Sequence, residues 1–132
     1  MSVRRGDHAF CVMDVDNCKD DDFREALKYS EKNRIQIILS NPCFEVFFLL
    51  HFIDEIPNLS SKEMKKELSN HIDGYRETGD YWNYLLNNQS DALKRSSSYQ
   101  LESDSVINGI LGTNVWVLFD LVERLKTEND VV

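Results

Sequence analysis

The amino-acid sequence predicts an α/β fold in which a short parallel sheet is followed by a helical C-terminal half. Two short apolar runs, at residues 9–13 and 35–39, flank one amphipathic helical pattern, which is the order of a β-α-β unit with parallel strands. After Pro57, apolar residues recur at helical spacing. We therefore expect an α/β core over residues 1–56 and a helical extension over residues 57–132 that packs on it as one domain.

The β-α-β unit is predicted from three successive patterns. Ala9–Met13 is a continuous apolar run, which is typical of a strand buried on both faces. Acidic residues 20–22 suit the positive end of the following helix, and residues at i, i+3, i+4 and i+7 form its buried stripe (Phe23, Ala26, Leu27 and Ser30). Ile35–Leu39 is rich in β-branched residues and predicts the second strand.

A second helix is predicted from residue 42 to about residue 52, and it is apolar on nearly every side. Asn41 suits the N-cap and Pro42 suits the first helical position. Glu45 and His51 interrupt the apolar run, at about 120° from each other around the helix axis. We expect this helix to be buried against several neighbours.

The C-terminal half is predicted to be helical, with sequence patterns of unequal strength. Ser60 and Glu63 form a capping-box pattern, and an apolar stripe follows (Met64, Leu68 and Ile72). Shorter helices are predicted at 81–86 and 90–99. Thr113 or Asn114 caps a final amphipathic helix, whose predicted buried stripe is Val115, Leu118, Phe119, Val122 and Leu125. Two strands make a poor sheet on their own, so further strands are expected elsewhere or are missing.

Composition and charge narrow the class of protein. Fifteen basic and 23 acidic residues give a net charge of −8, which excludes nonspecific coating of nucleic acid but leaves room for an enzyme with a small basic patch. No apolar run approaches the ~18 residues of a membrane span, and no signal peptide is recognisable. The three cysteines form no CxxC pair, so we expect no structural zinc and a cytoplasmic protein whose Cys11 and Cys43 are reduced, partly buried thiols.

Asp14 and Asp16 are the sharpest chemical feature of the sequence. They follow an apolar strand at i and i+2, and the carboxyl ends of strands in an open α/β sheet are where ligands bind. Two carboxylates there could hold Mg²⁺, which keeps several waters for substrate phosphates. The alternatives are that this segment only forms a turn, that Asp14 is a phosphatase nucleophile, or that residues 14–25 are an EF-hand loop, which Cys18 and Lys19 fit poorly.

Glu45 and His51 are the further candidates for catalysis. Glu45 follows the second strand and is therefore expected at the same sheet edge as Asp14 and Asp16, as a third metal carboxylate or a general base. The competing interpretation is a carboxylate bound by N–H groups of the first helical turn. A histidine in the position of His51 is more often a core residue that is hydrogen-bonded to the backbone. His8, Lys94 and Arg95 are candidate phosphate contacts, although solvated surface is their commoner role.

Two segments, Phe10–Asp16 and Ser40–Phe52, resemble the RloB family. Residues 92–95 and 114–125 also resemble the C-terminal helices of that family, so the resemblance spans most of the chain and is weakest between Pro57 and Gln89. RloB proteins resemble Toprim-fold members and are found near bacterial restriction and phage-defence loci. The resemblance implies a Toprim-like parallel sheet core.

The resemblance also implies a site and an activity. Asp14 and Asp16 would bind Mg²⁺ or Mn²⁺, and Glu45 would be the carboxylate of the family's signature helix. The implied activity is metal-dependent cleavage of nucleic acid by a phage-defence nuclease, with other defence proteins as partners.

One expected element is missing from the pattern. Toprim proteins begin with a strand that carries a glutamate and a glycine, followed by a helix, and no such unit precedes Ala9. The sheet is therefore expected to lack its first βα unit, either because the chain is a fragment or because another chain supplies the strand. The alternative function is a catalytically incomplete interaction module of a larger defence complex, and a homo-oligomer is also expected from the exposed sheet edge.

Overall fold

A short mixed sheet carries helices on both of its faces. The computed structural model describes residues 6–16, 18–76, 78–102 and 109–130. In chain order the elements are β1 (Ala9–Asp14), α1 (Asp20–Asn33), β2 (Ile35–Asn41), α2 (Glu45–Leu49), α3 (Ser61–Leu68), α4 (Trp82–Leu85) with a 3-10 turn (Leu86–Asn88), α5 (Gln89–Ser97), β3 (Gly112–Thr113) and α6 (Val115–Asp130). The strand order is β1-β2-β3.

The predicted β-α-β unit is confirmed. β1 and β2 are parallel and in register from Ala9↔Ile35 to Asp14↔Ser40. β3 pairs antiparallel with the end of β2 through Ser40↔Thr113 and Asn41↔Gly112, so the prediction of a purely parallel sheet is wrong. Two residues are too few to produce an alternating pattern in a sequence, which is why β3 escaped prediction.

β1 is more exposed than its apolar sequence predicts. Within the described part of the chain it pairs with β2 alone, and Val12 is 49% exposed. Cys11, which was expected to be partly buried, is exposed as well. The prediction of a strand buried on both faces is therefore wrong, because β1 is the outer strand of this sheet and the helices cover it incompletely.

The second helix begins later than predicted. Asn41 is the last residue of β2 rather than an N-cap, and its side-chain amide donates a hydrogen bond to the Ile110 carbonyl oxygen at 2.7 Å. The Asn41–Pro42 peptide is cis, Phe44 is the residue before the helix, and α2 begins at Glu45. The expected burial of this segment is confirmed, since Val46, Phe47 and Leu49 are all buried.

The larger hydrophobic cluster joins the two halves of the chain. Its buried members come from β2, from α2 and the later helices, and from residues that directly follow those helices. They include Ile38, Val46, Leu50, Met64, Leu68, Ile72, Ala92 and Val115. The Ser60–Glu63 capping box forms as predicted and starts α3 with its apolar stripe turned inward. In α6 the predicted stripe fails at Val122, which is 48% exposed.

A smaller cluster lies on the opposite face of the sheet, under α1. Phe23 of α1, Leu39 of β2 and Leu101 are its buried members. Ser30 is buried too, so the predicted stripe of α1 does face the sheet. Within the described residues, the helices are too short or too polar for any of them to cross a membrane.

Candidate functional site

Asp14 and Asp16 lie where β1 ends, and both are exposed. One Asp14 oxygen, Oδ1, accepts a hydrogen bond from the Phe44 backbone N–H at 2.8 Å. The backbone N–H of Asp16 donates to the Pro42 carbonyl oxygen at 2.9 Å. The loop after β1 is therefore held against the segment between β2 and α2, and the two carboxylates sit at the carboxyl edge of the parallel strand pair, as predicted.

Cys43 lies in the segment between β2 and α2, two residues before Glu45. It is buried, and burial raises the pKa of its thiol to about 11. Smaller contributions in the same direction come from the negative charges of Glu45 and Asp14. Phe44 donates its backbone N–H to Asp14 and immediately precedes Glu45 in the chain, so Glu45 and Asp14 lie in one region of the molecule.

Glu45 is the first residue of α2, and its side chain is 7% exposed. Its Oε1 lies 4.0 Å from Nζ of Lys65, which belongs to α3. A nearby cation offsets part of the cost of burying a carboxylate. Lys65 was missed by the sequence analysis, and no signal points to it, because α2 and α3 meet only through tertiary packing.

His51 has the surroundings of a core histidine. It is 3% exposed, and its Nδ1 lies 3.0 Å from the Phe47 carbonyl oxygen, to which the Nδ1–H tautomer donates. The ring also packs edge-on against the Phe47 ring at 5.0 Å between centroids. Burial lowers the pKa of His51 below its ordinary value. These contacts favour a neutral structural residue, and a catalytic role for His51 stays a prediction.

The donor set suits a metal that needs few protein ligands. Across residues 6–16, 18–76, 78–102 and 109–130, no three or more His, Cys, Asp or Glu side chains group in a way that could hold a metal ion. Mg²⁺ is commonly bound by one or two carboxylates, with waters and substrate phosphates completing its shell. Asp14 and Asp16, as exposed oxygen donors at one loop, fit that requirement, whereas a site built on three protein ligands is not formed by these residues.

Residues 2–125 match the family model described as RloB-like protein. Neither the curated proteins nor the solved structures give a match.

Proposed function

The chain belongs to the RloB-like family, and from this membership and the placement of Asp14 and Asp16 we propose a Mg²⁺- or Mn²⁺-dependent nuclease with a Toprim-like core that acts in bacterial phage defence. The observation that carries the proposal is the exposure of both carboxylates at the carboxyl end of β1. In open α/β sheets this edge is where ligands bind. The substrate is a nucleic-acid phosphodiester.

Asp14 and Asp16 would hold the ion, which when bound supplies charge stabilisation to the oxygens of the phosphodiester. The Phe44 N–H fixes Asp14 through Oδ1, and Oδ2 is the oxygen that would coordinate a cation. Glu45 assists from the start of α2, because its buried charge adds to the negative potential that attracts a divalent cation. His51 supports the helix that carries Glu45 by bonding to the Phe47 carbonyl oxygen.

A second candidate function is a catalytically incomplete interaction module within a larger defence complex. The observation that favours it is the lack of a three-residue metal group in the described part of the chain. A two-carboxylate site binds a cation weakly unless phosphate oxygens complete the shell. Metal binding therefore separates the two functions.

The test is calorimetric titration with Mg²⁺ and with Mn²⁺, paired with cleavage of labelled DNA and RNA. The variant is Asp14→Asn with Asp16→Asn, because an asparagine oxygen at position 14 can still accept the Phe44 hydrogen bond. We expect this variant to lose both metal binding and cleavage. The matched control is Asp21→Asn, which neutralises an exposed carboxylate in the first turn of α1 and should leave both unchanged.

Two outcomes would overturn the nuclease proposal. One is metal binding and cleavage in the double variant equal to those of the wild type. The other is that the wild-type protein neither binds either ion at millimolar concentration nor cleaves DNA or RNA in its presence, which supports the interaction module instead.

A further inference from the structure

A cavity of about 260 Å³ opens beside the residue that fixes Asp14. Phe44 donates its backbone N–H to Asp14 Oδ1 and also contributes to the wall of this cavity. The wall is mainly aromatic, and we call it the aromatic cavity; the residues used below are Phe44, Phe48, Tyr81, Trp82, Asp80 and Gln89.

The rings of the aromatic cavity are held in fixed positions. Phe44 and Phe48 meet edge-to-face with their centroids 5.1 Å apart. The Tyr81 hydroxyl donates to the Gly74 carbonyl oxygen at 3.2 Å and accepts from the backbone N–H of Arg76 at 2.5 Å. Trp82 is different, because it is 52% exposed although it is one of the largest apolar side chains in the protein. A fixed aromatic wall with one exposed indole is suited to stacking against a flat ring.

The polar groups of the cavity favour a base over a phosphate. Asp80 and Gln89 lie in its wall, and Asp80 Oδ1 accepts a hydrogen bond from the backbone N–H of Trp82 at 3.2 Å, which fixes the carboxylate close to the residue with the exposed indole. A carboxylate repels phosphate, whereas it can accept hydrogen bonds from the N–H groups of a base. The negative groups of a ligand would therefore stay outside, toward a cation at Asp14 and Asp16.

We propose that the aromatic cavity receives an unstacked nucleobase of a single-stranded nucleic acid, whose phosphodiester lies at Asp14 and Asp16. This inference rests on the function proposed above and adds to it the strandedness of the substrate. Bases in a duplex are stacked on one another, so only a single strand offers a free ring face to a concave aromatic wall.

A cation lies next to the aromatic cavity. Gln89 and Phe119 also line a second cavity of about 380 Å³, whose wall holds exposed Lys94 together with Asp120 and Glu123. A third cavity, of about 710 Å³, also borders Lys94, but Asp54, Glu55 and Asp91 line it, and Arg95 is paired there with Asp54 at 3.0 Å. These carboxylates disfavour a longer phosphate path, so a strand with its base in the aromatic cavity would contact Lys94 with a single phosphate.

The test measures, by anisotropy, the affinity of fluorescein-labelled oligothymidylate and oligouridylate of about eight nucleotides. Ca²⁺ replaces Mg²⁺ so that an oxygen-binding cation can occupy Asp14 and Asp16, and the length of the oligonucleotide after the measurement shows that it is uncleaved. We expect Trp82→Ala to weaken binding about five-fold to 150-fold, which is the usual loss for one stacked base. The matched control is Tyr29→Ala, since Tyr29 is a 54% exposed aromatic residue on α1 outside this cavity. Its affinity should equal that of the wild type. The two oligonucleotides distinguish DNA from RNA as the source of the base.

The dependence of affinity on salt concentration distinguishes base stacking from phosphate contact. Lys94→Gln should lower the slope of log affinity against log salt by about 0.7, the value for one phosphate contact on a single strand. Trp82→Ala should leave that slope unchanged, because stacking releases no counterions.

The inference is overturned if Trp82→Ala binds either oligonucleotide as tightly as the wild type does, or if a duplex of equal length binds as tightly as the single strand. It stands, and the nuclease proposal alone fails, if binding depends on Trp82 but the wild-type protein shows no cleavage in Mg²⁺. The reverse result, cleavage that needs Asp14 and Asp16 but is indifferent to Trp82, keeps the nuclease and removes the aromatic cavity from it.

Discussion

A buried pair of hydroxyl groups beneath the candidate site provides the most exacting test of the fold. Ser40 Oγ and Thr113 Oγ1 are 2.8 Å apart, and the two residues are 1% and 0% exposed. Thr113 Oγ1 also accepts from the backbone N–H of Val115, the first residue of α6, at 3.3 Å. Ser40 is in register with Asp14, so this pair joins β3, α6 and the strand beside the candidate carboxylates.

Thr113→Val keeps the shape of the side chain and removes its oxygen. The variant loses two hydrogen bonds, because the Ser40 hydroxyl loses its partner and the Val115 N–H loses its acceptor. We expect the free energy of unfolding to fall by about 2–3 kcal/mol. Ser40→Ala should cost less, about 1–2 kcal/mol, because Thr113 Oγ1 still accepts from Val115. In the double variant no buried hydroxyl group is left without a hydrogen-bond partner. The loss in the free energy of unfolding should therefore stay at about 2–3 kcal/mol.

The assay is equilibrium unfolding in urea of the wild type, both single variants and the double variant, with the slopes compared to confirm that each unfolds in the same way. The expected coupling between the two sites is about 1–2 kcal/mol. Additivity to within about 0.5 kcal/mol would refute the reasoning, because it would mean that the two hydroxyl groups do not share a bond in solution.

Other expectations follow from burial and pKa. Iodoacetamide at neutral pH should label exposed Cys11 and spare buried Cys43, and equal labelling of the two in mass spectrometry would contradict this expectation. Because the pKa of Cys43 is raised from 9.0 to about 11, the free energy of unfolding should also fall as the pH rises through that range. Because the pKa of His51 is lowered, its contribution to stability is present above pH 6.5 and is lost as the pH falls below that value. His51→Phe should therefore reduce the fall in the urea midpoint on acidification. An unchanged fall would count against this assignment. Leu68→Ala should cost about 2–5 kcal/mol because the side chain is fully buried, whereas the control Leu86→Ala, at a 50% exposed position, should cost under about 1 kcal/mol; similar thermal shifts for both would be evidence against this core.

Local patterns predicted the elements whose stability depends on nearby residues. The β-α-β unit follows from two apolar runs around one amphipathic helix, and the stripe from Phe23 to Ser30 faces the sheet as its spacing requires. The Ser60–Glu63 capping box forms because both of its hydrogen bonds join residues three positions apart. Asp14 and Asp16 were also placed correctly at the strand end, because they directly follow the apolar residues of β1 in the chain.

The sequence by itself thus determined the parallel strand pair, the main helices and the candidate carboxylates. Only the tertiary structure decided that Asn41 continues β2, because its partners Ile110 and Gly112 lie far away in the chain. It also decided that Lys65 stands beside Glu45, and that the Phe44 N–H fixes Asp14. Helix and strand periodicities record the side on which a residue is buried, but they carry no information on which distant group meets it there.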